Sequence, residues 1–143
     1  MADLDDIRDG DNFGLNTPAD TSSFYLKGMN SASWGIKNRM SRIFNSKSER
    51  TIMLAFDHGF LMGPTSGLER IDINIAPLAE HADCLMGCRG MLRTSIPAEN
   101  TKPICLRTDS GTTILTEMNH NVLISEQDAI SMNASAMAAM LAI

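Results

Sequence analysis

The chain has 143 residues, enough to bury one hydrophobic core, with 43% hydrophobic and 20% charged residues, as in ordinary globular domains. Its net charge of −5, with no cluster of Lys and Arg along the sequence, argues against a nucleic-acid surface but not against a small anionic substrate, which needs only a local group of donors. No apolar stretch approaches the roughly 20 residues of a membrane span, and the acidic start (Asp3, Asp5, Asp6) is unlike a signal peptide, so no membrane contact and a cytoplasmic location are expected.

Residues 1–31 are polar, aperiodic and broken by Pro18, and read as an extended arm. From Trp34 the pattern changes: Ile36, Met40, Ile43 and Phe44 recur at helical spacing, with Lys37, Arg39 and Arg42 on the other side. A turn at Asn45 to Ser48 leads into Thr51 to Phe56, a near-continuous apolar strand of the kind buried on both faces of a parallel sheet. Gly59, Gly63, Pro64 and Gly67 mark a loop; Leu68, Ile71, Ile75 and Leu78 then share a helical face that Pro77 is expected to end.

The cycle repeats, with a strand at Ala82 to Met86, a brief helical piece from Arg89 and a third strand from Pro103 to Arg107. Asp109 to Thr113 form its outgoing loop, and His120 to Ile124 are an additional strand or a wall of that loop. Ser125 and Asp128 have the spacing of a capping box ahead of a helix-favouring Ala/Met-rich run, and the last residues either continue that helix or form a fourth strand.

Strand, loop and helix at this cadence predict βα units and a parallel sheet, as in a doubly wound fold or a (β/α) barrel. No Gly-x-Gly-x-x-Gly follows any strand and no Walker lysine motif is present, which favours the barrel. In such barrels catalytic groups sit at the C-terminal ends of strands, and Asp57/His58, Arg89 and Asp109/Ser110 fall at those points.

Asp57 is the leading candidate for proton transfer, because a carboxylate ending an apolar strand is partly desolvated; the alternative is that it caps a loop or fixes His58. His58 is either a proton-transfer partner or a loop pin. Arg107 either contacts a substrate phosphate or pairs with Asp57 in the barrel mouth. Gly87 and Gly90 are expected to relieve backbone crowding, and Gly63 to Thr65 to form a lid or site wall. Apolar residues separate Cys84 from Cys88 and the histidines are scattered, so no metal site is expected and the thiols read as buried and free. None of the four lysines, Lys27, Lys37, Lys47 and Lys102, has the buried strand-end setting that a Schiff base needs.

The run from Thr51 to Gly59, followed by Gly63 to Pro77, resembles the DeoC/FbaB family of class I aldolases, and within it the LsrF-type branch of autoinducer-2 processing. Met1 to Ile7, Leu26 to Gly28, Trp34-Gly35 and Ser41 to Asn45 share the resemblance. It covers essentially the whole chain but only about the first half of the family's length, since a full barrel runs to roughly 250 residues. The fold it implies is α/β: an arm at 1–31, then about four βα units of a TIM (β/α)8 barrel over 32–143, ending before the Schiff-base half.

For the family, the resemblance implies a cytosolic, ring-like homo-oligomer whose lysine forms a Schiff base with a phosphorylated keto substrate. In this branch it implies cleavage of 3-hydroxy-2,4-pentadione 5-phosphate, with acetyl transfer to coenzyme A as cosubstrate and release of dihydroxyacetone phosphate. It makes Asp57 the family's acid at the end of the first strand and His58 its neighbour. Without the lysine, the chain is expected to be inactive alone, a truncated aldolase/thiolase with no bound cofactor. The competing expectation is a non-enzymatic half-barrel that self-associates or binds full-length subunits.

Overall fold

The computed structural model describes residues 16–19, 26–63, 65, 67–109 and 121–140. The expected arm therefore lies mostly outside the described residues, as do Ser110 to His120 and the final three residues. The elements run in order α1 (Trp34–Ile43), β1 (Met53–Ala55), α2 (His58–Met62), α3 (Ile71–Asn74), a 3-10 helix (Ala76–His81), β2 (Cys84–Gly87), α4 (Arg89–Ser95), β3 (Ile104–Arg107), α5 (Glu126–Ser131) and β4 (Ala136–Ala138). The four strands form one parallel sheet in sequential order, β1-β2-β3-β4. Every connection between neighbouring strands carries helix, as the βα cadence predicts.

Alternation along the strands sorts the core into two clusters. On one face, Leu85 and Leu106 are fully buried with Phe56, and Ile71, Leu92, Ile124 and Ala129 close over them from the connecting helices and loops. On the other, Cys84 and Cys105 are covered by Ile43 of α1, with Met40, Phe44, Met86, Ala136 and Ala138 packed around them. The amphipathic spacing read in α1 thus buries one stripe against the sheet, while Trp34 at its start stays exposed.

The first strand differs from its expected form. Only Met53–Ala55 are in the ladder, and their burial runs exposed, intermediate, exposed. Among the described residues β1 pairs with β2 alone, so it is an edge, and the two-sided burial expected of its apolar run is reached only at Phe56.

Gly59 is not in a loop, because α2 begins at His58. Pro77 does not end the helical segment either. It sits in the first turn of the 3-10 helix, where a missing N–H costs no hydrogen bond, and the chain tightens from α to 3-10 at that point. Gly87 does relieve crowding: a Cβ there would overlap the ring of Phe56. Gly90 does not, having only open space around it.

The capping box forms as the spacing predicts. Ser125 Oγ accepts from the Asp128 N–H at 3.1 Å, and Asp128 Oδ2 accepts from the Ser125 N–H at 3.4 Å. Helix α5 stops at Ser131, Asn133 takes a left-handed conformation (φ 54°), and the chain enters β4, so the fourth-strand alternative holds for residues 136–138. Val122 forms an antiparallel bridge with Asp109, which makes that segment a wall of the outgoing loop of β3.

Candidate active site

The register brings the strand-end residues together. Ala55 is level with Met86, and Met86 with Cys105. Two residues further on stand Asp57 and Cys88, just past their strands, and Arg107, the last residue of β3, which alternation places on the same face. Asp57 and Arg107 are two strands apart, about 10 Å across the ladder. A long arginine can cross that gap over a side chain as small as Cys88.

Arg107 makes the crossing: its Nη1 donates to Asp57 Oδ2 at 3.1 Å. Its Nε donates to Asp109 Oδ1. Asp109 lies two residues beyond Arg107 and so on the same face. Its other oxygen, Oδ2, accepts from the Met140 N–H at 2.5 Å, which fastens the exit of β4 to that of β3. Thr108 reinforces the junction, its N–H and its Oγ1 both donating to the Ala138 carbonyl at 3.0 Å. All three charged residues are buried, Asp57 at 9%, Arg107 at 7% and Asp109 at 5% relative exposure, so screening by solvent is weak.

One guanidinium between two carboxylates leaves the cluster with one unit of negative charge. Burial opposes ionisation of Asp109, but the Met140 N–H and the hydrogen bond and charge of Arg107 outweigh it and hold its carboxyl below the usual range. Burial, then the charge of Asp57, pushes the Cys88 thiol up to about 11, so at neutral pH Cys88 is a neutral spacer and not a nucleophile. Asp57 occupies the N-cap position of α2 but makes no side-chain cap bond there; its carboxylate turns to Arg107 instead.

A cavity of about 310 Å³ adjoins the cluster, lined by Arg107, Asp109 and Cys88 on its polar side and Phe60, Met91 and Ile124 on its apolar side. Arg107 Nη2 is buried and has no partner among the described residues, which leaves a donor for a ligand oxygen. Asp57 Oδ1 carries no hydrogen bond among them either. The arrangement can therefore anchor one carboxylate through one oxygen, keep the other for proton exchange, and offer one N–H to an acceptor.

Of the sequence-derived candidates, Asp57 and Arg107 are brought together and His58 is not. His58 starts α2 with its side chain exposed and makes no hydrogen bond among the described residues. Arg107 is held in an ion cluster, the pairing alternative of its two expected roles, and Nη2 is what remains for a substrate oxygen. Arg89 reaches Asp128 at 3.5 Å, linking α4 to α5 on the half-exposed surface. Ser110 and Pro64 lie outside the described residues. The partnership of Asp109 with Arg107 was not anticipated; its signal is the Arg-x-Asp spacing, which puts both side chains on one face of an extended strand.

The sequence is 54% identical over 140 residues to an uncharacterised aldolase of Pasteurella multocida. It has the same 54% identity to 3-hydroxy-5-phosphonooxypentane-2,4-dione thiolases of Yersinia pseudotuberculosis and Photorhabdus laumondii. Each alignment covers 97% of this chain and 48% of the relative, so the chain spans about half the length of the curated relatives it matches. The fold is similar to an archaeal fructose 1,6-bisphosphate aldolase (TM-score 0.57, 26% identity, 71% of this chain and 42% of that one). It is also similar to a Schiff-base-forming fructose-1,6-bisphosphate aldolase (TM-score 0.56, 25% identity, with the same coverage). No family model matches the chain.

Proposed function

We propose, for a chain that belongs to the aldolase family of these relatives and folds as part of a TIM barrel, that it carries the acid-bearing side of a site that cleaves a phosphorylated ketone, and that it forms no Schiff base by itself. The observation that carries this reading is the Asp57–Arg107–Asp109 cluster at the C-terminal ends of parallel strands, where barrel enzymes hold their catalytic groups. No lysine stands beside it. Lys27 and Lys47 are exposed in turns, and the Lys37 ammonium donates to the Asn30 carbonyl. Lys102 precedes β3 at the opposite end of the sheet.

A Schiff base needs an amine kept neutral by a desolvated pocket, and none of these four has one. The lysine must be supplied from outside these 143 residues. In the full site Asp57, oriented by Arg107, is the group that exchanges the proton displaced when the carbon–carbon bond breaks. By the likeness to the named thiolases, the substrate is 3-hydroxy-5-phosphonooxypentane-2,4-dione; the resemblance to that branch adds coenzyme A as the acetyl acceptor, a cosubstrate in place of a bound cofactor.

Borohydride reduction in the presence of dihydroxyacetone phosphate, read by intact mass, tests the first part. No adduct is expected, and a stoichiometric reduced adduct on any lysine would overturn it. In a full-length relative, Asn in place of the acid equivalent to Asp57 is expected to reduce turnover about 10²–10⁴-fold. Unchanged turnover would return Asp57 to a structural role.

A second reading, a non-enzymatic half-barrel that self-associates or binds full-length subunits, is favoured by the apolar residues at the sheet's two edges. Ile52 is 65% and Met53 38% exposed beside β1, and Met137 is 42% and Met140 38% exposed at β4. Analytical ultracentrifugation distinguishes the two: a monodisperse monomer with a sharp thermal transition would retire this reading.

A further inference from the structure

At the opposite end of the sheet from Asp57, between the end of α1, the α4–β3 connection and the turn into β4, lies a cleft of about 520 Å³. Arg42, Arg93 and Lys102 line it, and Asn100, Thr101 and Asn133 add neutral donors. No Asp or Glu lines it among the described residues, in a chain that has 17 acidic and 12 basic residues. The adjoining cleft shares Lys102 and carries Glu80 and Glu99, so the positive charge is centred on the Arg42–Arg93 side.

The three cations come from positions 42, 93 and 102, on three separate segments. Tertiary structure thus builds the basic cluster that the linear sequence lacks. The Lys102 backbone is held by a clasp, Asn100 Nδ2 donating to its carbonyl at 3.0 Å and its N–H to Asn100 Oδ1 at 3.3 Å, while its ammonium donates to the Glu80 carbonyl at 3.4 Å on the side of the adjoining cleft. Arg70, Arg89 and Arg107 each have a carboxylate partner, whereas Arg42 and Arg93 have none among the described residues. Cations gathered over low-dielectric walls, here Leu92, Ile96 and Met132, repel one another and focus a positive field into the cleft. A bound anion relieves that repulsion, and the forked guanidinium matches phosphate or carboxylate oxygens.

We propose that this cleft is a binding site for a compact polyanion, a small molecule bearing two or more phosphate or carboxylate charges. In barrels the end where strands begin is not where catalysis occurs, so the site is separate from the Asp57 cluster and its occupancy does not depend on the reaction proposed there.

Calorimetric titration of the chain at low ionic strength with inorganic pyrophosphate, and separately with citrate, tests the proposal. Saturable binding of at least one of them, one per chain and weakening with added salt, is expected. Pyrophosphate alone would identify a phosphoryl ligand, and citrate alone a carboxylate one. Arg93→Gln and Arg42→Gln are each expected to weaken binding about tenfold or more, the loss of one charge-assisted contact, with Arg93→Lys retaining part of it. Arg39→Gln changes the net charge outside the cleft and is expected to bind as the parent does. All three positions changed, 39, 42 and 93, carry exposed side chains on one surface helix or the other, and thermal melts confirm that each variant folds. Absence of saturable binding with both anions, or equal binding by the double variant Arg42→Gln/Arg93→Gln, would overturn the proposal.

Discussion

The two faces of the sheet are made by alternate residues of the same short strands and have opposite characters. One is a dry apolar layer, Phe56, Leu85 and Leu106, sealed by the helices that connect the strands. The other carries thiols, a methionine and alanines at the α1 end, then Asp57, Arg107 and Asp109 where the strands finish. The first face completes its core within the described residues and supplies stability in the ordinary hydrophobic way. The second places buried charge where it does little for stability and much for chemistry.

Neighbouring residues of β3 separate these roles, because Leu106 belongs to one face and Arg107 to the other. Replacing Arg107 with Ala strands two buried carboxylates side by side, and a loss of about 3–5 kcal/mol is expected in denaturant unfolding. That loss should shrink as acid neutralises the carboxylates left behind. Leu106→Ala is expected to cost about 2–5 kcal/mol through lost burial and a cavity, with no such relief in acid. Parallel responses of the two variants to pH would erase the distinction between the faces.

A gentler perturbation is acidification of the parent. The folded-state pKa of Asp109 is depressed, so its contribution is present above its unfolded value, about 3.9, and is lost as pH falls through the folded value. Melting temperature should therefore drop below about pH 4, and Asp109→Asn should flatten that limb. An unchanged limb would show that Asp109 is not a net contributor. The smallest effect tests the helical side alone: Ser125→Ala removes the capping box of α5 and should cost about 1 kcal/mol, without altering the acid response of the Arg107 cluster.

Much of the chain was legible because the signals were local. The period of Ile36, Met40 and Ile43 predicts α1, the Ser125–Asp128 spacing predicts its cap, and apolar runs followed by polar residues predict β2 and β3 with their strand-end groups. Where sequence reasoning failed, the deciding partner was distant. Met53 to Ala55 read as buried on both sides, because composition cannot say whether a strand has one neighbour or two. Pro77 read as a stop, because the local pattern does not show that the chain continues as a 3-10 helix. His58 read as either a proton-transfer partner or a loop pin, and residue order alone could not show that α2 begins there with the side chain exposed.

The sequence by itself determined the βα cadence, the resemblance to class I aldolases and the candidacy of Asp57, since each rests on residue order and short-range periodicity. Tertiary structure alone decided that Arg107 spans Cys88 to reach Asp57, that Asp109 and the Met140 N–H hold the other side of the cluster, and that Arg42, Arg93 and Lys102 share one cleft. The physical reason is register. A strand's pattern fixes which residues share a face, but only the pairing of one strand with the next fixes which of them stand level, and charge acts across that distance.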